Sequence, residues 1–497
     1  MRKVPTGSSA TAVQIVTKQG RQVAAVEHLG SAHTDADLAV LVETARERIR
    51  EHIREAGQVE LDLGLEGAAA VASSRVVLKR SYSRVLFEAL TGVYDRLEFT
   101  AATNGDAVFR DLVIARIIEP SSKLDTIRIL DELGLKPSSH TGIHGCLDRA
   151  AEADYRDRLS EACVTFRGVE QLTLVLHDVT TLFFQVEQED NYRIPGLSKE
   201  RRLEPQIVIG LLVDERGFPL QLHSFEGNKA ETLTLVPVLD AFRRAHPNVT
   251  VSVACDAGML SASNLTALED AGYGFIVGSR IAKTPYDIAE YPNDGSALAN
   301  GQILDTTVWF RRAGSRRQRR VVCQYRQKRA RLDLRNIDTQ VEKANRIIEG
   351  TSAMKKGRFL KVAGATKALD TALVASAKSR AGAKGYVTNL DTAPAETIID
   401  AYHQLFTVEA SFRMAKTDLR ARPIYHRLRE KIEAHLTIMF AAIAVSRHVQ
   451  ETTGISIKRF VKLLAPVKDG VIAIDGNEHL IPAEMTPEIE KLLTKLA

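Results

Sequence analysis

The sequence predicts an α/β chain in which one mixed sheet is interrupted by a β-rich insertion and preceded by a mainly helical region. Three observations carry this prediction. From residue 171 to 278 the apolar pattern reads strand, strand, strand, helix, strand, helix, strand. Two of those strands run into carboxylates, in L-T-L-V-L-H-D ending at Asp178 and V-T-V-S-V-A-C-D ending at Asp256. A helical stripe bearing a third carboxylate, Glu409, follows only after residue 390.

A chain of 497 residues exceeds one ordinary core, so several domains are expected. The divisions read from the pattern are 1–80 (small hairpin and helix), 81–168 (helical), 169–280 (first part of the sheet), 281–390 (β-rich insertion), 391–450 (second part, with the Glu409 helix) and 451–497 (C-terminal extension). No apolar run approaches the length of a membrane span, so no membrane partner is expected. Four cysteines without C-x-x-C spacing fit a reducing, cytoplasmic setting and argue against structural zinc. A net charge of +5 permits a nucleic-acid partner without demanding one. The local bias is stronger. Residues 311–335 hold ten arginines and one lysine against one acid, Asp333.

Residues 13–29 read as a hairpin turning at Gln19-Gly20, and Asp35 as the cap of a helix with Leu38, Leu41, Val42 and Ala45 inward. Segments 106–118, 122–133 and 141–150 read as short helices, the first pair punctuated by Glu119-Pro120-Ser121-Ser122. Three such helices admit a helix-turn-helix-like DNA-binding unit or a plain bundle, and Arg149 is the third helix's only strong cation. After the strand at 171–184 comes a polar loop through 199–202. Strands at 206–213 and 218–225, a helix at 230–246, a strand at 249–255, a helix at 261–271 and a strand at 274–278 follow. The right-handed crossover rule makes the last two strands parallel to the first. This order is that of a ribonuclease-H-like domain. In the insertion, 306–312, 319–325 and 385–388 read as strands and 338–350 as a helix. Residues 392–422 read as one helix capped by Thr392, with Ile398, Tyr402, Leu405, Glu409, Phe412 and Lys416 on one stripe. A second helix spans 425–449, and the tail holds a helix, a hairpin near 469–476 and a last helix from Thr486.

Either aspartate alone is an ordinary strand-end residue, and Glu409 alone is half of an i,i+4 pair with Arg413. Together, Asp178 and Asp256 fall at the ends of adjacent parallel strands, where open sheets place ligands, and Glu409 can pack across that edge. Three converging carboxylates repel unless a cation neutralises them. Two hard cations would do so while serving in-line phosphoryl transfer, which points to Mg²⁺, with Mn²⁺ able to substitute. Arg413 and Lys416 would hold flanking phosphates. The Tyr402 hydroxyl reads equally as a phosphate donor or as a packed aromatic.

The pattern H-D-V-T-T, then V-A-C-D-A-G-M, then Y-H-Q-L-F-T-V-E-A-S-F-R-M-A-K-T resembles the DDE transposases of bacterial insertion sequences. The resemblance is to the branch with a Y-x2-R-x3-E-x6-K signature and a β-rich insertion before the last acid. Tyr402, Glu409 and Lys416 fit the signature, while its arginine falls on Leu405. V-E-H-L-G-S-A-H, A-R-I-I-E-P-S-S-K-L and R-P-I-Y-H extend the resemblance over most of the chain. It implies that Asp178, Asp256 and Glu409 are the catalytic, metal-binding triad. It also implies cleavage and strand transfer at terminal inverted repeats of double-stranded DNA, joining to target DNA, and a homodimer in the DNA complex. A nuclease without strand joining and an inactive DNA-binding relic are the alternatives. In this setting the arginines of the insertion, Arg316, Arg317, Arg319 and Arg320, are expected to track phosphates. Trp309 is expected in the core, though an aromatic in this insertion can stack on an unpaired base in related transposases.

Overall fold

The structure, a computed structural model, describes residues 2–5, 11–19, 22–32, part of 38–48, 76–168, 174–185, 188–196, 203–247, 249, 251–259, 261–279, 298–312, 315–353, 357–363, 366–474 and 477–496. Asp35, Gly20 of the first hairpin turn and the loop at 199–202 lie outside them. The chain divides into two compact units, 1–75 and 76–497. The first is an antiparallel sheet of β1 (Arg2–Pro5), β2 (Thr11–Gln19) and β3 (Gln22–Ala32). Val13, Ile15 and Ala45 form its core, with Leu38, Leu41 and Val42 packed on it.

The second unit opens with β4 (Val76–Tyr82). A helical run follows: α1 (Arg84–Arg96), α2 (Phe99–Ala102), α3 (Ala107–Ile118), α4 (Lys123–Glu132), α5 (His140–Glu152) and α6 (Tyr155–Arg167). The side chains of Asp106, Ser122 and Ser139 cap α3, α4 and α5 by accepting N–H bonds from the first turn. Arg149 is paired with Asp106 at 2.7 Å, and α3 and α5 pack on a later helix, so the plain bundle describes how these helices are held.

The sheet follows: β5 (Leu174–Phe183), β6 (Gln206–Asp214), β7 (Pro219–Glu226), α7 (Leu235–Ala245), β8 (Ser252–Cys255), α8 (Ala262–Asp270) and β9 (Gly274–Ser279). β5, β6 and β7 pair antiparallel, while β8 joins β5 and β9 joins β8 in parallel, as the crossover rule requires. The insertion contributes β10 (Ile303–Arg312), β11 (Ser315–Tyr325), α9 (Gln327–Ile348), β12 (Leu360–Ala363), β13 (Thr366–Leu369), α10 (Thr371–Ser379) and β14 (Ala383–Thr388). Three of its strands do not form a separate sheet. β14 pairs with β9, β11 with β14 and β10 with β11, which gives one eight-stranded sheet in the order β10-β11-β14-β9-β8-β5-β6-β7.

The expected single helix at 392–422 is broken. α11 (Ala395–His403) ends at Gln404, α12 (Leu405–Arg413) starts afresh, and one π turn (Met414–Asp418) finishes the run. The Gln404 carbonyl accepts from the Thr407 N–H at 2.8 Å and the Thr407 hydroxyl at 2.7 Å, a local bond set that competes with the continuous ladder. Pro394, rather than Thr392, is the N-cap.

α13 (Arg429–Thr453) is long and apolar enough to cross a membrane, contrary to the sequence reading, yet 83% of its apolar window is buried in the fold. It is the central core helix, touching α1, α3, α5 and α6. The tail comprises α14 (Ile457–Leu464), β15 (Asp469–Ile474), β16 (Asn477–Ile481) and α15 (Pro487–Leu496). β15 pairs with both β16 and β4, and Arg84 holds Asp469 at 2.5 Å, so the tail is tied to the start of this unit.

Candidate active site

Asp178 does not end its strand. β5 runs on to Phe183, paired with β6 throughout, and it is β8 that stops at Cys255. His177 pairs with Cys255, so Asp178 and Asp256 follow one another across adjacent strands where the parallel pairing ends. α12 packs across β5 and carries Glu409 to the same place. Asp178, Asp256 and Glu409 line one cavity of about 230 Å³. Glu409 is exposed and makes no ion pair with Arg413 among the described residues, so the i,i+4 pair does not form.

Tyr402 belongs to this wall. Its ring is 6% exposed, and its hydroxyl donates to Asp256 Oδ1 at 3.0 Å. Burial, then the Asp256 carboxylate, push the phenol well above its ordinary range, so it stays a donor. The hydroxyl is therefore occupied by Asp256 and is not free for a phosphate. Gly278 makes room for it, since a Cβ there would stand 2.4 Å from the Tyr402 oxygen.

Lys384 went unnoticed in the sequence. It lines the cavity beside the three carboxylates. Its ammonium lies 4.4 Å from the Tyr402 ring centroid and 5.9 Å from that of Tyr386, the next residue on the same face of β14. Burial and Arg329 push it below the ordinary lysine range, against the pull of Asp256 and Glu409. The only local signal is the alternation in A-K-G-Y-V-T, which sets Lys384 beside Tyr386 but does not say which cavity they meet. His403 and the exposed Phe406 complete the rim beside Leu405.

Leu405 is half-buried at the start of α12, where the signature arginine would stand. Arg413 is exposed one turn beyond Glu409, and Lys416 is half-buried in the π turn. His177 is fully buried with neither ring nitrogen hydrogen-bonded, and burial lowers its imidazole to about 3. Such a neutral ring is withdrawn from solvent.

The arginines of the insertion separate into two groups. Arg319 is 3% exposed and bonds Glu269 at 2.6 Å and Thr266 at 3.2 Å. Arg317 pairs with Glu269 and Asp270. Arg320 pairs with Asp305 at 2.6 Å and donates to the carbonyls of Leu390 and Ala393. These three fasten β11 to α8, β10 and the segment before α11, so their expected phosphate tracking gives way to internal pairing. Arg316 stays exposed and lies 4.1 Å over the Trp309 ring, which is 44% exposed and not the core residue anticipated.

The donor set suits a hard divalent cation, with three carboxylates around one polar cavity and no thiol or imidazole within the trio. Among the described residues no three His, Cys, Asp or Glu side chains stand close enough together to hold an ion as they are.

The family model described as "Transposase DDE domain" matches residues 171–445, which span β5 through most of α13. No curated protein matches. A solved piggyBac transposase synaptic complex with hairpin DNA is similar at 10% identity, covering 79% of this chain and 82% of that one with a TM-score of 0.38.

Proposed function

Because the chain belongs to the DDE transposase family, a family of DNA-cleaving, transposing enzymes, we propose that it moves an insertion sequence by cutting DNA at the element's terminal inverted repeats and joining the freed end to target DNA. The observation that carries the reading is the convergence of Asp178, Asp256 and Glu409 on one cavity from β5, the end of β8 and α12. These three would hold Mg²⁺, or Mn²⁺ in its place. When bound, the ions would neutralise the carboxylates and supply the Lewis acidity that in-line displacement at phosphorus needs.

The chain's own residues do the rest. The Tyr402 hydroxyl holds Asp256 in one orientation. Lys384 sets a positive charge against the same wall, where the phosphodiester's developing charge would lie. Arg413 and Lys416 extend from Glu409 toward flanking phosphates, and Arg316 with Trp309 offers a cation and an exposed aromatic face for DNA. Two ends must be joined, so the working form is a homodimer on DNA. In the bacterial setting that the resemblance implies, the activity belongs to the cytoplasm.

The test uses labelled inverted-repeat ends incubated with the full chain and Mg²⁺. Cleavage followed by joining to a target duplex is expected. Chelation with EDTA, Asp178→Asn and Glu409→Gln should each abolish both steps while DNA binding persists. Cleavage without joining would identify a nuclease, and binding alone a DNA-binding relic. Intact cleavage by Glu409→Gln would refute the triad.

A further inference from the structure

A second cavity of about 460 Å³ opens beside the first and shares Asp256, Lys384 and Tyr402 with it. Its far wall comes from the insertion. Arg329, Asp333, Asn336 and Gln340 recur at steps of four, three and four along α9, so a single face of that helix lines the space. Arg358 and Arg380 line it from the segments flanking β12, β13 and α10. Four cations, Arg329, Arg358, Arg380 and Lys384, thus border one cavity that holds two carboxylates. Asp333 is already engaged, by Arg329 at 3.5 Å and by the Gly382 N–H at 3.1 Å. Asp256 is engaged too, by the Tyr402 hydroxyl at 3.0 Å.

We propose that this cavity is a phosphate subsite that grips the DNA strand next to the bond being cut, with Arg329, Arg358 and Arg380 as its cations and Lys384 as the link to the catalytic cavity. Guanidinium groups present paired N–H donors that match phosphate oxygens. Like charges crowded around one space repel each other, and an anionic phosphodiester relieves that repulsion. The amides of Asn336 and Gln340, one turn apart on the same wall, offer neutral donors and acceptors to the sugar or base attached to that phosphate. The insertion therefore contributes to the site through α9 and the α10 edge, while the arginines on its β11 strand hold the sheet together.

The inference rests on the DNA-cleaving reading, and the experiment separates the two. Inorganic pyrophosphate, titrated into the full chain in EDTA, serves as a probe small enough for the cavity. One binding site is expected in the wild type. The double variant Arg329→Gln/Arg380→Gln should weaken it at least tenfold, Arg329→Lys/Arg380→Lys should retain most of it, and Lys458→Ala, at an exposed position of α14, should leave it unchanged. A mixed-sequence 20-nucleotide single strand should displace pyrophosphate from the wild type. In the glutamine variant the salt dependence of that strand's binding should flatten by about 0.7 in log–log slope for each phosphate no longer neutralised. Pyrophosphate binding that survives the glutamine substitutions with an unchanged melting curve would overturn the site. Pyrophosphate that binds but is not displaced by the strand would show a site for free phosphate only, which overturns the DNA role. A wild type that binds pyrophosphate but no DNA of any kind would instead overturn the transposase reading.

Discussion

Tyr402→Phe tests the architecture of the catalytic wall most directly. The substitution keeps the buried ring, its 4.8 Å contact with Tyr386 and its place under Lys384, and removes only the hydroxyl that donates to Asp256 at 3.0 Å. A hydrogen bond to a charged acceptor contributes about 1.5–3 kcal/mol. Asp256 is itself exposed, so water replaces part of the missing donor and the lower end applies. About 1.5 kcal/mol corresponds to roughly a tenfold loss in rate. Single-turnover cleavage of a labelled end across a Mg²⁺ series should show that loss, with folding stability lowered by no more than the same amount, about 1.5 kcal/mol. Gly278→Ala should do at least as much damage by another route, because its Cβ would stand 2.4 Å from the hydroxyl oxygen and 2.8 Å from the ring carbon bearing it. A Tyr402→Phe enzyme within twofold of wild type at every Mg²⁺ concentration would show that the hydroxyl does not orient Asp256.

The insertion's arginines should part company under mutation. Arg319→Ala removes the buried partner of Glu269, which keeps Arg317, so the cost should fall at or below the lower end for a broken buried pair, about 3 kcal/mol, seen in urea denaturation. Arg316→Ala, at an exposed position, should change stability by no more than about 0.5 kcal/mol while weakening DNA binding in a filter or anisotropy assay. Acid should destabilise the fold through His223, whose imidazole burial lowers to about 4 with Arg156 assisting. Its folded value lies below the unfolded one. Between about pH 6.5 and 4 the unfolded chain therefore takes up a proton that the folded chain refuses, and stability falls as pH falls, by at most about 1.4 kcal/mol per unit. His223→Phe, which preserves the stack on Phe225, should flatten the difference between urea midpoints at pH 7 and pH 5.

The sheet was legible because its causes are local. The near-continuous apolar run at 206–213, β-branching in V-T-V-S-V-A-C and the capping serines of the helical region each write a short segment's conformation into neighbouring residues. The parallel placement of β8 and β9 then follows from the handedness of the crossover. Asp178, Asp256 and Glu409 could be singled out because carboxylates stand out against apolar runs and because their spacing resembles a known family. The sequence by itself thus determined which three carboxylates could form the site and the parallel placement of β8 and β9, while the full strand order, with β14, β11 and β10 added beyond β9, came from the tertiary structure.

Only the tertiary structure decided which charges are available to a ligand. In sequence, R-R-Q-R-R at 316–320 is a uniform basic run. Whether each guanidinium meets Glu269, Asp305 or open solvent depends on strands and helices distant in the chain, and Coulomb pairing is settled by those distances. The same holds for Lys384, ordinary within its strand and distinctive only where β14 meets α11, and for Arg329 and Arg380, which converge on one cavity from separate helical segments. The break at Gln404 belongs here too. Periodicity ran through it, while the Thr407 hydroxyl bonds Gln404, α12 packs across β5, Glu409 lines the cavity of the two aspartates and Tyr402 donates to Asp256.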